Sequence, residues 1–163
     1  MTDKLKKLVQ RFGAEEARLC KASGKYSEAE ARIEFIDPLF SLLGWDMNNS
    51  AGMANSLKDV VREESQPTET SSKRPDYTFR ITAKRQFFVE AKKPSVDILS
   101  SKESAFQVRS YGWTAGLPIS ILTNFRTFRV YDTTAVPDPR EDANVGLLLE
   151  IHYTELEKRL DEL

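Results

Sequence analysis

The stretch KRPDYTFRITAKRQFFVEAKKP, residues 73–94, decides how the chain is read. Two runs rich in aromatic and β-branched residues, DYTFRI (76–81) and QFFVEAK (86–92), flank the polar TAKR (82–85) and predict a β-hairpin. The second run carries an unexpected load. Glu90 and Lys92 stand two apart in an apolar segment, so they share one strand face with Phe88, while Val89 and Ala91 take the other. A turn centred near Ala83 or Lys84 brings Asp76 opposite Glu90 or Ala91. Asp76 and Glu90 then lie at one end of the hairpin, close enough to share an ion, with Lys92 one step further along the same face.

Two carboxylates can form the protein part of an octahedral oxygen site, since Mg²⁺ is usually held by one or two carboxylates with waters and substrate phosphates. Such an ion polarises a phosphodiester oxygen and helps generate hydroxide from water. A lysine beside it can orient that water or offset charge developing on the phosphate. Taken alone, an Asp and a Glu-x-Lys form a degenerate pattern, more often a weak pair on a solvated strand. The surroundings argue otherwise. Phe87, Phe88, Val89 and Ala91 bunch against Glu90, and Pro75 and Pro94 bound the polar groups at the strand ends.

Outward from the hairpin, residues 2–21 place Leu5, Leu8, Val9, Phe12 and Leu19 at near-helical spacing. SEAEARIEFIDPLFSLLGWD (27–46) opens on Ser27 and Glu30 at capping-box spacing and ends on Gly44, with Pro38 expected to bend the helix. Residues 46–72 are mostly polar, and LKDVVREE within them reads as a strand or a short helix. Beyond the hairpin, a helix over 100–115 is predicted, with Ser100 and Glu103 as a second capping box. PISILTNF and TFRVYDT predict two strands joined at Phe125–Arg126, and LLLEIHYTELEKRLDEL predicts a last strand passing into a helix. This order implies an α/β domain with a central mixed sheet flanked by helices. Trp45 and Trp113 are expected in the core.

Composition narrows the chemistry. The 163 residues, 40% apolar and 30% charged, suit one globular domain. Cys20 is the only cysteine and His152 the only histidine, which excludes an intrachain disulfide, a thiolate zinc cluster and most imidazole sites. Carboxylates are the only plentiful metal ligands. No segment has the apolar length needed to span a bilayer, and the charged amino terminus lacks a signal-peptide core, so a cytoplasmic protein without membrane contact is expected. Net charge is −1, but residues 73–93 carry seven basic side chains against two acidic ones, and residues 132–163 carry three against nine. Lys73, Arg74, Arg80, Lys84, Arg85 and Lys93 read equally as a set holding phosphates around the cleft or as the basic residues common at hairpin turns.

With these motifs in order, RPDY…FFVEAKKP resembles the PD-(D/E)XK nuclease core, with Pro75-Asp76 as the PD and Glu90-Ala91-Lys92 as the (D/E)XK. AFQVRSYGWTAG contains Gln107-x-x-x-Tyr111, similar to the QxxxY element of type I restriction motor subunits and RecB-like nucleases. IEFIDPLFSLLGWD resembles the first core helix of the type I amino-terminal nuclease domain, with Glu34 as its glutamate and Leu43-Gly44-Trp45 as its turn. Ile33 stands where that family often has an asparagine. ILTNFRTFRVYD is similar to the family's following strand pair, and the same architecture heads type IIG restriction-modification enzymes.

The resemblance covers roughly residues 27–133 and implies a restriction-endonuclease-like fold, here one domain over 1–163 belonging to a larger protein. It implies that Asp76, Glu90 and the backbone carbonyl of Ala91 bind Mg²⁺, with Mn²⁺ able to substitute, and that Lys92 is catalytic. It further implies that Glu34 approaches the site from its helix, and that Gln107 and Tyr111 project toward the site or the DNA strand. The expected activity is Mg²⁺-dependent endonucleolytic hydrolysis of double-stranded DNA by metal-activated water within a restriction-modification enzyme. Methyltransferase, translocase and specificity domains or subunits would be its partners. A non-catalytic DNA-binding module of the same fold, and a RecB-like exonuclease or resolvase, remain open alternatives.

Overall fold

The computed structural model describes residues 2–64 and 74–163. Its centre is a six-stranded sheet: β1 (Val60–Arg62), β2 (Tyr77–Ile81), β3 (Lys84–Ala91), β4 (Ile119–Thr123), β5 (Thr127–Asp132) and β6 (Leu147–His152). The strands lie in sequence order, and only β3 and β4 run parallel. A parallel pair needs a crossover, and helix α4 (Lys102–Thr114) supplies it. The mixed α/β sheet with flanking helices is therefore present as expected.

Strand alternation divides the interior into two layers. Val89, Ala91, Ile121, Phe128 and Val130 face α1 (Thr2–Leu19) and α3 (Asp37–Leu42) in one cluster. Leu122 and Tyr131 face α4 with Ala105 and Val108, and Phe88 packs there beside Tyr111 and Leu117. Phe12 from α1 anchors the first layer, with its ring 5.1, 4.9 and 4.8 Å from those of Phe35, Phe125 and Tyr153. Phe125 sits at φ 63°, a strained conformation for a bulky residue, held by its fully buried ring. Gly112 permits the close approach of α4 to the sheet, since a Cβ there would meet Ser120 Oγ and Thr133 Oγ1 at 2.5 Å.

The hairpin turn is one residue earlier than expected. Thr82 and Ala83 both have positive φ, 50° and 65°, forming a two-residue turn between the paired Ile81 and Lys84. That register alone would set Asp76 level with Val89. A bulge between Phe79 and Arg80 adds one residue, so Tyr77 pairs with Val89 and the next step brings Asp76 level with Glu90. The bulge thus aligns the two carboxylates.

The second helix begins at α2 (Glu28–Ala31), where Ser27 and Glu30 form the expected capping box. It continues through a π-helical turn, Arg32–Ile36, into α3. Pro38 explains the break: lacking an N–H, it cannot bond the Glu34 carbonyl, and Arg11 of α1 donates to that oxygen instead. Gly44 at φ 100° ends the helix, and the Trp45 N–H caps the Phe40 carbonyl at 3.1 Å.

Several expectations change. LKDVVREE holds strand β1, preceded by a 3₁₀ turn at Asn55–Leu57. The α4 cap is Ser101, whose hydroxyl accepts the Ser104 N–H, whereas Ser100 donates to Asp97. Trp45 packs on Phe79 and Phe87, but Trp113 is 44% exposed, on the outer face of α4.

Candidate active site

The polar residues gather where β2 begins and β3 ends. Asp76 is 9% exposed and Glu90 4%. Asp76 Oδ2 accepts the Ala91 N–H at 2.7 Å, which fixes its carboxylate against the end of β3. Lys92 Nζ donates to Glu90 Oε1 at 2.6 Å, and its backbone N–H bonds the Thr123 carbonyl at 2.8 Å, tying the strand end to β4. From α4, Gln107 Nε2 donates to the same Glu90 oxygen at 2.9 Å and to Tyr111 Oη at 2.8 Å. One helical turn separates Gln107 and Tyr111, so both reach down from one face of α4.

Five of the residues singled out from the sequence therefore converge: Asp76, Glu90, Lys92, Gln107 and Tyr111. Ala91 joins them through its N–H. Glu34 does not. Its carboxylate accepts the Tyr26 hydroxyl at 3.3 Å and its carbonyl takes Arg11, on the α1 side of the helix. The helix acid whose charge is felt at the site is Glu28, which interacts electrostatically with Asp76, Lys92 and Glu90. Glu28 lies six residues before Glu34, and a π turn interrupts the helix between them.

Arg32, one turn after Glu28, was not singled out from the sequence. Its Nη1 donates to Asp76 Oδ1 at 3.0 Å and its Nε to Tyr77 Oη at 3.2 Å, with the guanidinium 4.9 Å from the centre of the Tyr77 ring. Tyr77 in turn donates to Asp37 Oδ1 at 2.7 Å, and Arg62 bonds the other Asp37 oxygen at 2.7 Å. The signal in the sequence was the Glu28–Arg32 spacing of four, which puts both on one helix face.

Burial drives the electrostatics. It raises the Asp76 carboxyl, against the Ala91 N–H, Arg32 and Lys92. It raises Glu90 to about 7, reinforced by the Asp76 charge and opposed by Lys92. Glu28 is raised by the same two causes in the same order. Burial pulls Lys92 down, but the Glu90 charge and hydrogen bond outweigh it and leave Lys92 above its ordinary value. The folded chain thus retains a proton on Glu90 up to about 7, whereas an unfolded glutamate releases it near 4.5. More protons are bound folded than unfolded in that window, so metal-free stability falls as pH rises through it. Urea denaturation from pH 4.5 to 7.5 is expected to show this decline, and Glu90→Gln to flatten it.

A cation suits this arrangement. Among the described residues, Glu90 Oε2 is buried with no hydrogen-bond partner, and a buried acceptor of that kind calls for a ligand. The Asp76 charge raises the proton affinity of Glu90, a repulsion that a divalent ion removes. Among the described residues no three acidic, histidine or cysteine side chains converge into a complete cage. Two carboxylates with water and phosphate oxygens match Mg²⁺ better than a closed site.

The basic residues of the hairpin lie elsewhere. Lys84 stands six residues from Glu90 along β3, about 20 Å at strand rise. Arg80 and Arg85 both pair with Glu64, and Lys73 is outside the described residues. Of the expected phosphate-binding set, Lys93 and Arg74 adjoin the site in the chain. No described helix is long and apolar enough to cross a membrane.

Comparison with known proteins identifies relatives among restriction enzymes. The E. coli type II restriction enzyme and methyltransferase RM.Eco57I is 41% identical over 164 residues, an alignment that takes in 99% of this chain. The chain spans 16% of that relative's length. No solved structure matches. The family model described as type I restriction enzyme R protein N terminus matches residues 53–138, over half of the chain and the whole span from β1 to β5. The chain belongs to that family, within the PD-(D/E)XK nucleases.

Proposed function

We propose that the chain is the DNA-cleaving domain of a restriction-modification enzyme, a Mg²⁺-dependent endonuclease acting on double-stranded DNA. The observation that carries this reading is the buried Glu90 Oε2 beside Asp76, without a hydrogen-bond partner among the described residues, with Lys92 bound to the other Glu90 oxygen. Asp76 and Glu90 would hold the ion, with the Ala91 carbonyl as a third oxygen. The bound ion supplies Lewis-acid polarisation of the phosphodiester and acidifies a water. Lys92, held by Glu90, directs its remaining N–H donors at the attacking water or at charge developing on the phosphate. Gln107 keeps Glu90 in its rotamer and is itself steadied by Tyr111. Glu28 would be the helix acid whose charge acts on the site.

Methyltransferase and recognition functions would reside outside these 163 residues, in keeping with the short share of RM.Eco57I that the chain spans. The test uses the enzyme carrying this chain on circular duplex DNA with Mg²⁺ or Mn²⁺. Linearisation is expected, and Asp76→Asn is expected to abolish it while leaving the circular dichroism spectrum unchanged. Undiminished cleavage by Asp76→Asn would reject the reading.

A further inference from the structure

Arg32 occupies the position from which a cation's field would act on Asp76. Its Nη1 is 3.0 Å from Asp76 Oδ1 and also 3.6 Å from Glu63 Oε1. The Glu63 side chain is 67% exposed, yet its backbone is fixed beside the site: its N–H bonds the Asp76 carbonyl at 3.1 Å, and its φ is 50°. Two carboxylates therefore compete for one guanidinium, one buried and one in solvent. Arg32 has a pivot between them, since Nε stays on Tyr77 Oη and the group lies over the Tyr77 ring.

Asp76 does not depend on Arg32 for its orientation. Its other oxygen is held by the Ala91 N–H at 2.7 Å. Removing the arginine takes a positive charge from the carboxylate without releasing it from the strand end.

We infer that Arg32 is a resident counter-cation that neutralises Asp76 when no metal is bound and passes to Glu63 when a divalent ion takes the carboxylate. This rests on Asp76 and Glu90 being the ion's ligands. Arg32 is a positioning residue: it acts through Asp76, setting how tightly the ion binds and keeping a buried carboxylate compensated in its absence.

The test is calorimetric titration with MnCl₂ at pH 7.5, without DNA, on the wild-type chain, Arg32→Met, Glu63→Gln and the double variant. Arg32→Met is expected to bind Mn²⁺ about tenfold more tightly, since a competing positive charge beside the site is gone. Glu63→Gln, at an exposed position, is expected to weaken binding about threefold. That weakening should vanish in the Arg32→Met background, because Glu63 acts through Arg32. Equal or weaker binding by Arg32→Met overturns the inference, as does an equal effect of Glu63→Gln in both backgrounds. Should neither wild type nor Arg32→Met bind Mn²⁺ at millimolar concentration, the metal site itself falls, and the inference with it. Binding by Arg32→Met alone would support both.

Discussion

Lys92→Ala is expected to cut the single-turnover rate of DNA cleavage at pH 7 by about 10²–10³-fold, the usual effect of removing one charge-stabilising donor from an active site. The same substitution changes metal binding in a way that ordinary loss of a catalytic group does not. Lys92 is the principal opposing charge on a carboxyl already raised to about 7 by burial and by Asp76. Without it, the Glu90 proton is held more tightly, and Mn²⁺ must compete with that proton. Mn²⁺ affinity should therefore depend more steeply on pH than in the wild type, rising as the pH is raised from 7 toward 9. The Gln107 bond to Glu90 Oε1 survives the change and keeps the carboxylate placed. Lost cleavage with a pH-dependent loss of Mn²⁺ affinity supports the assignment, and wild-type cleavage would exclude it.

Arg129→Met is expected to lower folding stability by about 3–5 kcal/mol, as when one partner of a buried charged network is removed. Arg129 is 1% exposed. Its Nη1 donates to the carbonyls of Ile98 and Leu99 at 3.1 Å and of Ala143 at 3.3 Å, while Nη2 bonds Asn144 and Nε lies 2.9 Å from Glu150. Methionine fills much of the volume but leaves buried carbonyls without donors. Against a typical total of about 5–15 kcal/mol, this is a large fraction. The effect should also reach the site. Ile98 and Leu99 belong to the segment joining Lys92 to α4, and that segment is otherwise pinned by Asn124 Nδ2 on the Val96 carbonyl at 2.9 Å. Urea denaturation measures the stability, and cleavage at a temperature where the variant remains folded measures the second effect.

The sequence revealed most where one short period governed the outcome. Alternation along residues 86–92 places Glu90 and Lys92 together, and the separation of four between Gln107 and Tyr111 places both on one helix face. What it did not reveal depended on departures from a period. The bulge at Phe79/Arg80 has no glycine or proline to announce it, yet it makes the difference between Asp76 facing Val89 and facing Glu90. The π turn at Arg32–Ile36 follows from a proline beyond its end, and the sequence period alone does not show that Arg32 reaches Asp76. Arg80 and Arg85 looked available to phosphate because their partner, Glu64, is more than fifteen residues away in the chain. Residue type alone favours the core for Trp113, but its helix face looks outward.

Asp76 and Glu90 are proposed to hold one divalent ion, with Lys92 beside it. Anomalous diffraction from crystals equilibrated with Mn²⁺ tests it most directly. A peak bonded to Glu90 Oε2 and an Asp76 oxygen at about 2.1 Å, near the Mg²⁺–oxygen distance, is expected. Absence of any peak there at a Mn²⁺ concentration that supports cleavage would contradict it.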